Sequence, residues 1–221
     1  MQGYSATAAG AALLPFILIM FLLSRWSGGL VKRYGAKLPL VTGPLIAALG
    51  FAMLSLPGVG GRYWTTFFPA IVVLGLGMAT SVAPLTTTVI NAVKGDHAGV
   101  ASGINNAVSR TAGLLAVAVF GILMAHAFAA NFERRLATLD LSTEARAQLE
   151  SGRSSLAGMK VPEDLSGETQ AAIKQIINES FLAGFRLITY ISAALACLSA
   201  LVAWVLIEGR VRQRVKPGGA S

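Results

Sequence analysis

The sequence predicts an all-α membrane protein with about five transmembrane helices, and three observations lead to that fold class. Of the 221 residues, 54% are hydrophobic and only 13% are charged, whereas about a quarter of the residues in a soluble domain are charged. The apolar residues gather in five long runs, and about 20 such residues cross the hydrocarbon core of a bilayer as a helix. The basic residues gather at the ends of these runs. We therefore interpret the net charge of +8 as a topology signal beside the lipid bilayer and expect no nucleic acid partner.

The five predicted spans cover residues 5–24, 38–56, 64–93, 99–128 and 181–207. The third and fourth spans are longer than a bilayer requires, so they should tilt, kink or protrude. Pro84 lies inside the third span. It predicts a kink, because proline removes one helical hydrogen bond and crowds the preceding turn.

The orientation of the spans follows from lysine and arginine. The predicted loop 25–37 carries four basic residues and no acid, and the C-terminal tail carries four more. The positive-inside rule places both segments in the cytoplasm. Five spans then put the N-terminus outside and the C-terminus in the cytoplasm. The chain divides into four spans within residues 1–130, an extracytoplasmic connection at 131–178, and the last span with its basic tail at 179–221.

The long connection is expected to contain short amphipathic helices, because leucines recur at positions 136, 139, 141 and 149. Ser166 is the expected N-cap of a later helix that runs directly into the fifth span. A loosely packed linker is the alternative.

Small residues mark two of the spans as close-packing helices. They are Gly75 and Gly77 in the third span, and Gly99, Gly103 and Gly113 in the fourth. Small residues let helix backbones approach each other in lipid. Ordinary helix packing and a sliding contact at a gate both remain open.

Arg110 is the charge that lies deepest within a span. An arginine at a helix centre costs about 2.5–3.5 kcal/mol on insertion, so it should face protein or a watery cavity. Asn105 and Asn106 lie one turn before it. These residues and Pro84 form a possible cavity or gate; the alternative is an arginine that snorkels or pairs with a helix end. Arg186, near the outer end of the fifth span, is expected to snorkel to the interface.

Several chemistries have no basis in the sequence. Neither histidine has a metal-ligand partner at a usual spacing, and no phosphate-binding loop or nucleophile–base arrangement stands out. We therefore predict no metal, no cofactor and no enzymatic activity. No aspartate or glutamate lies in the middle of a span, although proton-driven transporters generally need one.

Residues 27–40 resemble the loop motif of the major facilitator superfamily. The matching residues are Gly28, Leu30, Arg33, Gly35, Lys37 and Leu40. Lys32 stands where an acid is usual, and Ala36 replaces a basic residue. Residues 75–77, 83–85 and 99–113 are similar to late spans of the fourteen-span drug:proton antiporters of that superfamily.

The resemblance implies a partial major facilitator fold that holds the last five spans of such a protein. The chain would be the C-terminal part of a proton-coupled multidrug or small-solute efflux transporter in the bacterial cytoplasmic (inner) membrane, inactive without its N-terminal part. The implied partners are the lipid bilayer, the missing N-terminal transmembrane half and a small amphipathic or cationic substrate. The basic loop would act as a gating latch through Arg33 or Lys37. A non-transporting membrane scaffold or assembly subunit is the alternative.

Overall fold

The chain folds into long α-helices. The computed structural model describes residues 6–60, 62–93, 95–139, 141–162 and 164–207. These residues form seven α-helices: α1 (Ala6–Ala11), α2 (Leu14–Tyr34), α3 (Lys37–Leu54), α4 (Phe68–Asn91), α5 (Ala98–Leu136), α6 (Thr143–Ser151) and α7 (Gly167–Leu206). A π-helical turn, Tyr63–Phe67, precedes α4, and two 3-10 turns lie at Gly95–His97 and Arg153–Gly158. Within these ranges, five segments are long and apolar enough to cross a membrane, which confirms the predicted fold class.

The membrane-length helices pack side by side in an order that differs from the chain order. Helix α2 packs on α4, α4 on α3, α3 on α7, and α7 on α5. We call the end of the bundle that holds the α2–α3 connection the hairpin end, and the opposite end the core end. Helix α4 finishes at the hairpin end and α3 at the core end. The helices alternate in direction along the chain, as the short connections between them require.

Glycines bring α3 and α4 into close contact. A Cβ built on Gly77 of α4 would lie 2.3 Å from the backbone nitrogen of Ala47. A Cβ on Gly50 of α3 would lie 2.7 Å from the Cα of Leu74. Because only glycine fits at either position, the backbones of α3 and α4 touch directly. This contact forms the centre of the bundle.

The prediction of a basic loop at residues 25–37 is wrong for most of these residues, because α2 continues to Tyr34. Ser27, inside the predicted loop, is completely buried. Only Gly35 and Ala36 separate α2 from α3. Gly35 ends α2 with a φ of 82°, and its N–H bonds to the carbonyl of Val31 at 3.0 Å. Gly28 and Gly29 within α2 each destabilise a helix by about 1 kcal/mol relative to alanine. The helix nevertheless continues through them.

The core end contains a hydrophobic cluster of buried side chains. Helix α5 continues to Leu136, beyond the predicted end of its span at residue 128, and packs there against α6 and the first turns of α7. We call this the core-end cluster: Phe128, Phe132, Leu136, Leu149, Met159, Ile173, Ile176 and Ile177. The rings of Phe128 and Phe132 stack with centroids 5.6 Å apart. This packing differs from a loosely packed linker.

Polar contacts hold the core-end cluster at its rim. The side chain of Ser166 accepts a hydrogen bond from the N–H of Thr169 at 3.2 Å, which confirms the predicted N-cap. Arg135 pairs with Glu179, and Arg153 pairs with Glu133. Each ion pair joins two elements that are distant in sequence, so they fix the arrangement of α5, the 3-10 turn and α7.

Candidate functional site

Helices α4 and α5 diverge from the turn that joins them and leave a groove of about 730 Å³ at the hairpin end. Cavities of roughly 300–1,000 Å³ hold drug-sized ligands. The lining is apolar except for two residues, His97 and Asn105. The full set is Val89, Ala92, Val93, His97, Val100, Ala101, Ile104, Asn105 and Val108. The groove can therefore bury an apolar body while it offers hydrogen bonds at few points.

The polar rim of this groove contains an acid. Nδ1 of His97 lies 3.1 Å from Oδ1 of Asp96, and both side chains are well exposed. Asp96 is the only acidic residue in the first 132 residues of the sequence. Asp96 therefore places one carboxylate beside His97, which lines the groove.

A second hollow, of about 420 Å³, lies between α2 and α4. Gly28 of the motif lies in its wall, and Thr86 and Thr87 face it from α4. The hydroxyls of these threonines donate to the carbonyls of Val82 at 3.2 Å and Ala83 at 2.9 Å. Their protons are thus used within the helix, and the oxygens are left as acceptors. This hollow suits a ligand group that donates hydrogen bonds.

Pro84 lies inside α4, in the stretch of helix that lines this hollow. It is completely buried, and α4 continues through it from Phe68 to Asn91. The hydroxyl of Thr88 donates to the carbonyl of Pro84 at 2.7 Å. Proline and back-bonded threonines both favour bending of a helix, so the predicted kink at Pro84 stays a prediction with local support.

The motif residues lie at the hairpin end, where α2 turns into α3 and the end of α7 packs on α3. Leu30 is half-buried, whereas Arg33 is exposed and its guanidinium carbon lies 5.3 Å from the centre of the Tyr34 ring. Nζ of Lys37 lies 5.8 Å from the centre of the Trp204 ring. Sequence reasoning missed this partner. Trp204 lies near a span end, which indicates an interfacial anchor, and no local pattern links it to a lysine so distant in sequence.

The structure separates the three polar residues predicted on the fourth span. Asn105 lines the groove towards α4, while Asn106 and Arg110 are exposed on another side of α5. Every residue from Asn106 to Val119 is exposed. The middle of α5 therefore contacts little of the described chain.

The glycines predicted to pack also divide into two groups. A Cβ on Gly75 would lie 3.3 Å from the Ile19 side chain of α2, and Gly77 contacts α3. Gly99, Gly103 and Gly113 have no atom within 4 Å of such a Cβ in the described chain. A packing role for these α5 glycines stays a prediction.

Arg186 caps the end of α3, and its expected snorkelling to the interface stays a prediction. Its Nε donates to the carbonyl of Ser55 at 2.9 Å, and a terminal guanidinium nitrogen lies 3.4 Å from the carbonyl of Pro57. The last carbonyls of a helix lack partners within it and carry partial negative charge. The end of α3 thus offers this arginine two carbonyl acceptors.

A sequence comparison identifies the family. The family model described as Major Facilitator Superfamily matches residues 1–130. The chain belongs to the major facilitator superfamily. Membership in this family and five membrane-length helices in the described residues make it a multi-pass membrane protein.

Bacterial members of the superfamily are similar to this chain over only part of their own length. The tetracenomycin C resistance and export protein of Streptomyces glaucescens is 28% identical over 206 residues, which are 92% of this chain and 38% of that protein. The multidrug resistance protein Stp of Mycobacterium tuberculosis is 31% identical over 141 residues, 62% of this chain and 25% of that protein. The quinolone resistance protein NorB of Staphylococcus aureus is 27% identical over 133 residues. These bacterial relatives indicate the inner membrane.

Proposed function

We propose that this chain is the C-terminal part of a proton-coupled efflux transporter for multiple drugs or other small solutes. The observation that carries the proposal is the similarity, over 92% of the chain, to a protein named for resistance and export. The exposed middle of α5 supports it, because an apolar helix that contacts little of its own chain suits a protein with further spans. A fourteen-span parent protein would also supply the proton-coupling acids.

The proposed mechanism is rocking of two halves about a site near the middle of the membrane. The α4–α5 groove and the α2–α4 hollow would form part of the wall of that site. Their mix of apolar side chains and hydrogen-bond acceptors suits a small amphipathic or cationic substrate. The remaining partners would be the lipid bilayer and an N-terminal transmembrane half.

Efflux of a fluorescent cation tests this proposal. Ethidium efflux would be compared in cells that express this chain alone and cells that express the reading frame extended upstream. We expect efflux from the extended protein, abolished by a protonophore, and none from this chain alone. Proton-coupled efflux by this chain alone would contradict the need for a second half. If the extended protein exports neither cationic dyes nor quinolones, the transport proposal is contradicted.

The motif at the hairpin end would latch the state closed to the cytoplasm through Arg33 or Lys37. In the extended protein, Arg33→Ala should slow ethidium efflux several-fold, because the balance moves to the state open to the cytoplasm. Arg25→Ala removes the same charge about two turns earlier in α2 and should leave the rate within about twofold. Efflux unaffected by Arg33→Ala would count against the latch.

A further inference from the structure

We propose that one face of α5 is the docking surface for a membrane-spanning helix outside this chain that carries an aspartate or glutamate at the level of Arg110. We call this surface the Arg110 face; it consists of Gly99, Gly103, Asn106, Arg110, Gly113 and Gly121. The inference rests on the proposed function, because that function supplies the additional helices. It adds the chemistry that one of those helices must have.

The Arg110 face is a continuous strip along α5. At 3.6 residues per turn, its six residues fall within an arc of about 80°. The large side chains Val100, Ile104 and Val108 lie on the opposite side of the helix, where they line the groove towards α4. The two sides of α5 thus differ in chemistry, and the polar and small residues point away from α4.

Nothing in the described chain covers the Arg110 face. A Cβ built on any of its four glycines would meet no atom within 4 Å. Arg110 is exposed and has no hydrogen bond or ion pair among the described residues. By contrast, Arg186 of α7 is held by two carbonyls, those of Ser55 and Pro57, at the end of α3.

The chemistry of the face favours a helix over lipid. An arginine in an apolar span is unfavourable against lipid tails and favourable beside an acid or a polar cavity. Glycines around it allow another backbone to approach closely, which strengthens such a pair by excluding water. The expected partner therefore carries a carboxylate opposite Arg110.

A second copy of this chain does not supply that carboxylate. The acids nearest to Arg110 in sequence are Asp96 and Glu133, which lie about 21 and 35 Å away along the helix at 1.5 Å per residue. A parallel copy would place two arginines opposite each other. The occupant that fits is a helix with a different sequence.

Two synthetic helices test the inference directly. Both are single-span peptides of leucine and alanine with a central glycine strip, and they differ only in a Glu or a Gln at the centre. The full chain, labelled at the exposed Cys197, and one labelled peptide are reconstituted in phosphatidylcholine vesicles, and association is measured by energy transfer. We expect the Glu peptide to associate about tenfold more tightly than the Gln peptide. Equal association of the two peptides with the wild-type chain would overturn the inference, and this comparison needs no variant to fold.

Variants then locate the contact. Arg110→Gln should remove the preference for Glu, whereas Arg110→Lys should keep it. Gly113→Leu should weaken association with the Glu peptide several-fold, while Ala112→Leu, which places the same side chain outside the strip, should not. A Glu preference that survives Arg110→Gln would also overturn the inference. Because this assay measures association and the dye assay measures efflux, failure of the docking surface and failure of the transport proposal give different results.

Discussion

Gly77 and Gly113 are both glycines within membrane-length helices, yet they have different surroundings. A side chain on Gly77 would collide with the backbone of α3, whereas one on Gly113 would enter open space. From the sequence, both are small residues in an apolar run, and no pattern tells them apart. The difference arises because the neighbour of each position lies far away in the chain.

Replacement of these glycines by alanine should therefore have opposite effects. Gly77→Ala should destabilise the bundle by about 1–3 kcal/mol, because α3 and α4 must separate to admit the methyl group. Gly113→Ala should leave stability unchanged or raise it by up to about 1 kcal/mol, because alanine favours the helix. Thermal unfolding in detergent micelles measures both changes. Equal melting temperatures of the two variants would argue against the close α3–α4 contact.

The arginines at 186 and 110 offer a second matched pair. Arg186→Met should destabilise the chain by about 1.5–3 kcal/mol, because the carbonyls of Ser55 and Pro57 lose charge-assisted hydrogen bonds. Arg110→Met removes an arginine with no partner in the described chain and should not lower the melting temperature. A melting temperature of Arg186→Met equal to that of the wild type would show that the cap contributes no stability.

At the scale of the elements, hydropathy and length predicted the five membrane helices, because both signals are local. The end of α2 is mispredicted, because the basic residues indicate a loop, whereas the helix continues through them until Gly35 ends it. The core-end cluster could be predicted only in part. Leucines 136 and 149 suggested amphipathic pieces, but the stacking of Phe128 on Phe132 and their contact with Ile173 depend on how α5 and α7 meet.

Phe132 provides the test of the core-end cluster as a folded element. It is 1% exposed, so Phe132→Ala should destabilise the cluster by about 3–5 kcal/mol through the cavity that it leaves. Trypsin should then cleave within residues 134–160 much faster than in the wild type. Leu115→Ala, on an exposed part of α5, serves as the control and should be cleaved at the wild-type rate. Equal cleavage of both variants would indicate that the cluster is not a cooperative unit.

At the scale of the whole molecule, the proposed orientation predicts which turns face the outside of the cell. In a Cys197→Ser background, Val59→Cys at the core end should react in intact cells with a thiol reagent that cannot cross the membrane. Gly95→Cys at the hairpin end should react only after the cells are opened. The reverse labelling pattern would invert the topology and remove the cytoplasmic latch with it.

Helix α7 runs without a break from Gly167 to Leu206, about 60 Å at 1.5 Å per residue, or twice the thickness of a hydrocarbon core. Helix α5 is nearly as long, and the two helices pack together at one tip through the core-end cluster. In the proposed orientation that tip stands outside the cell, where an antibody fragment can reach it. An antibody fragment bound to this tip would hold α5 and α7 together. It would slow their movement relative to the rest of the protein without entering the substrate path.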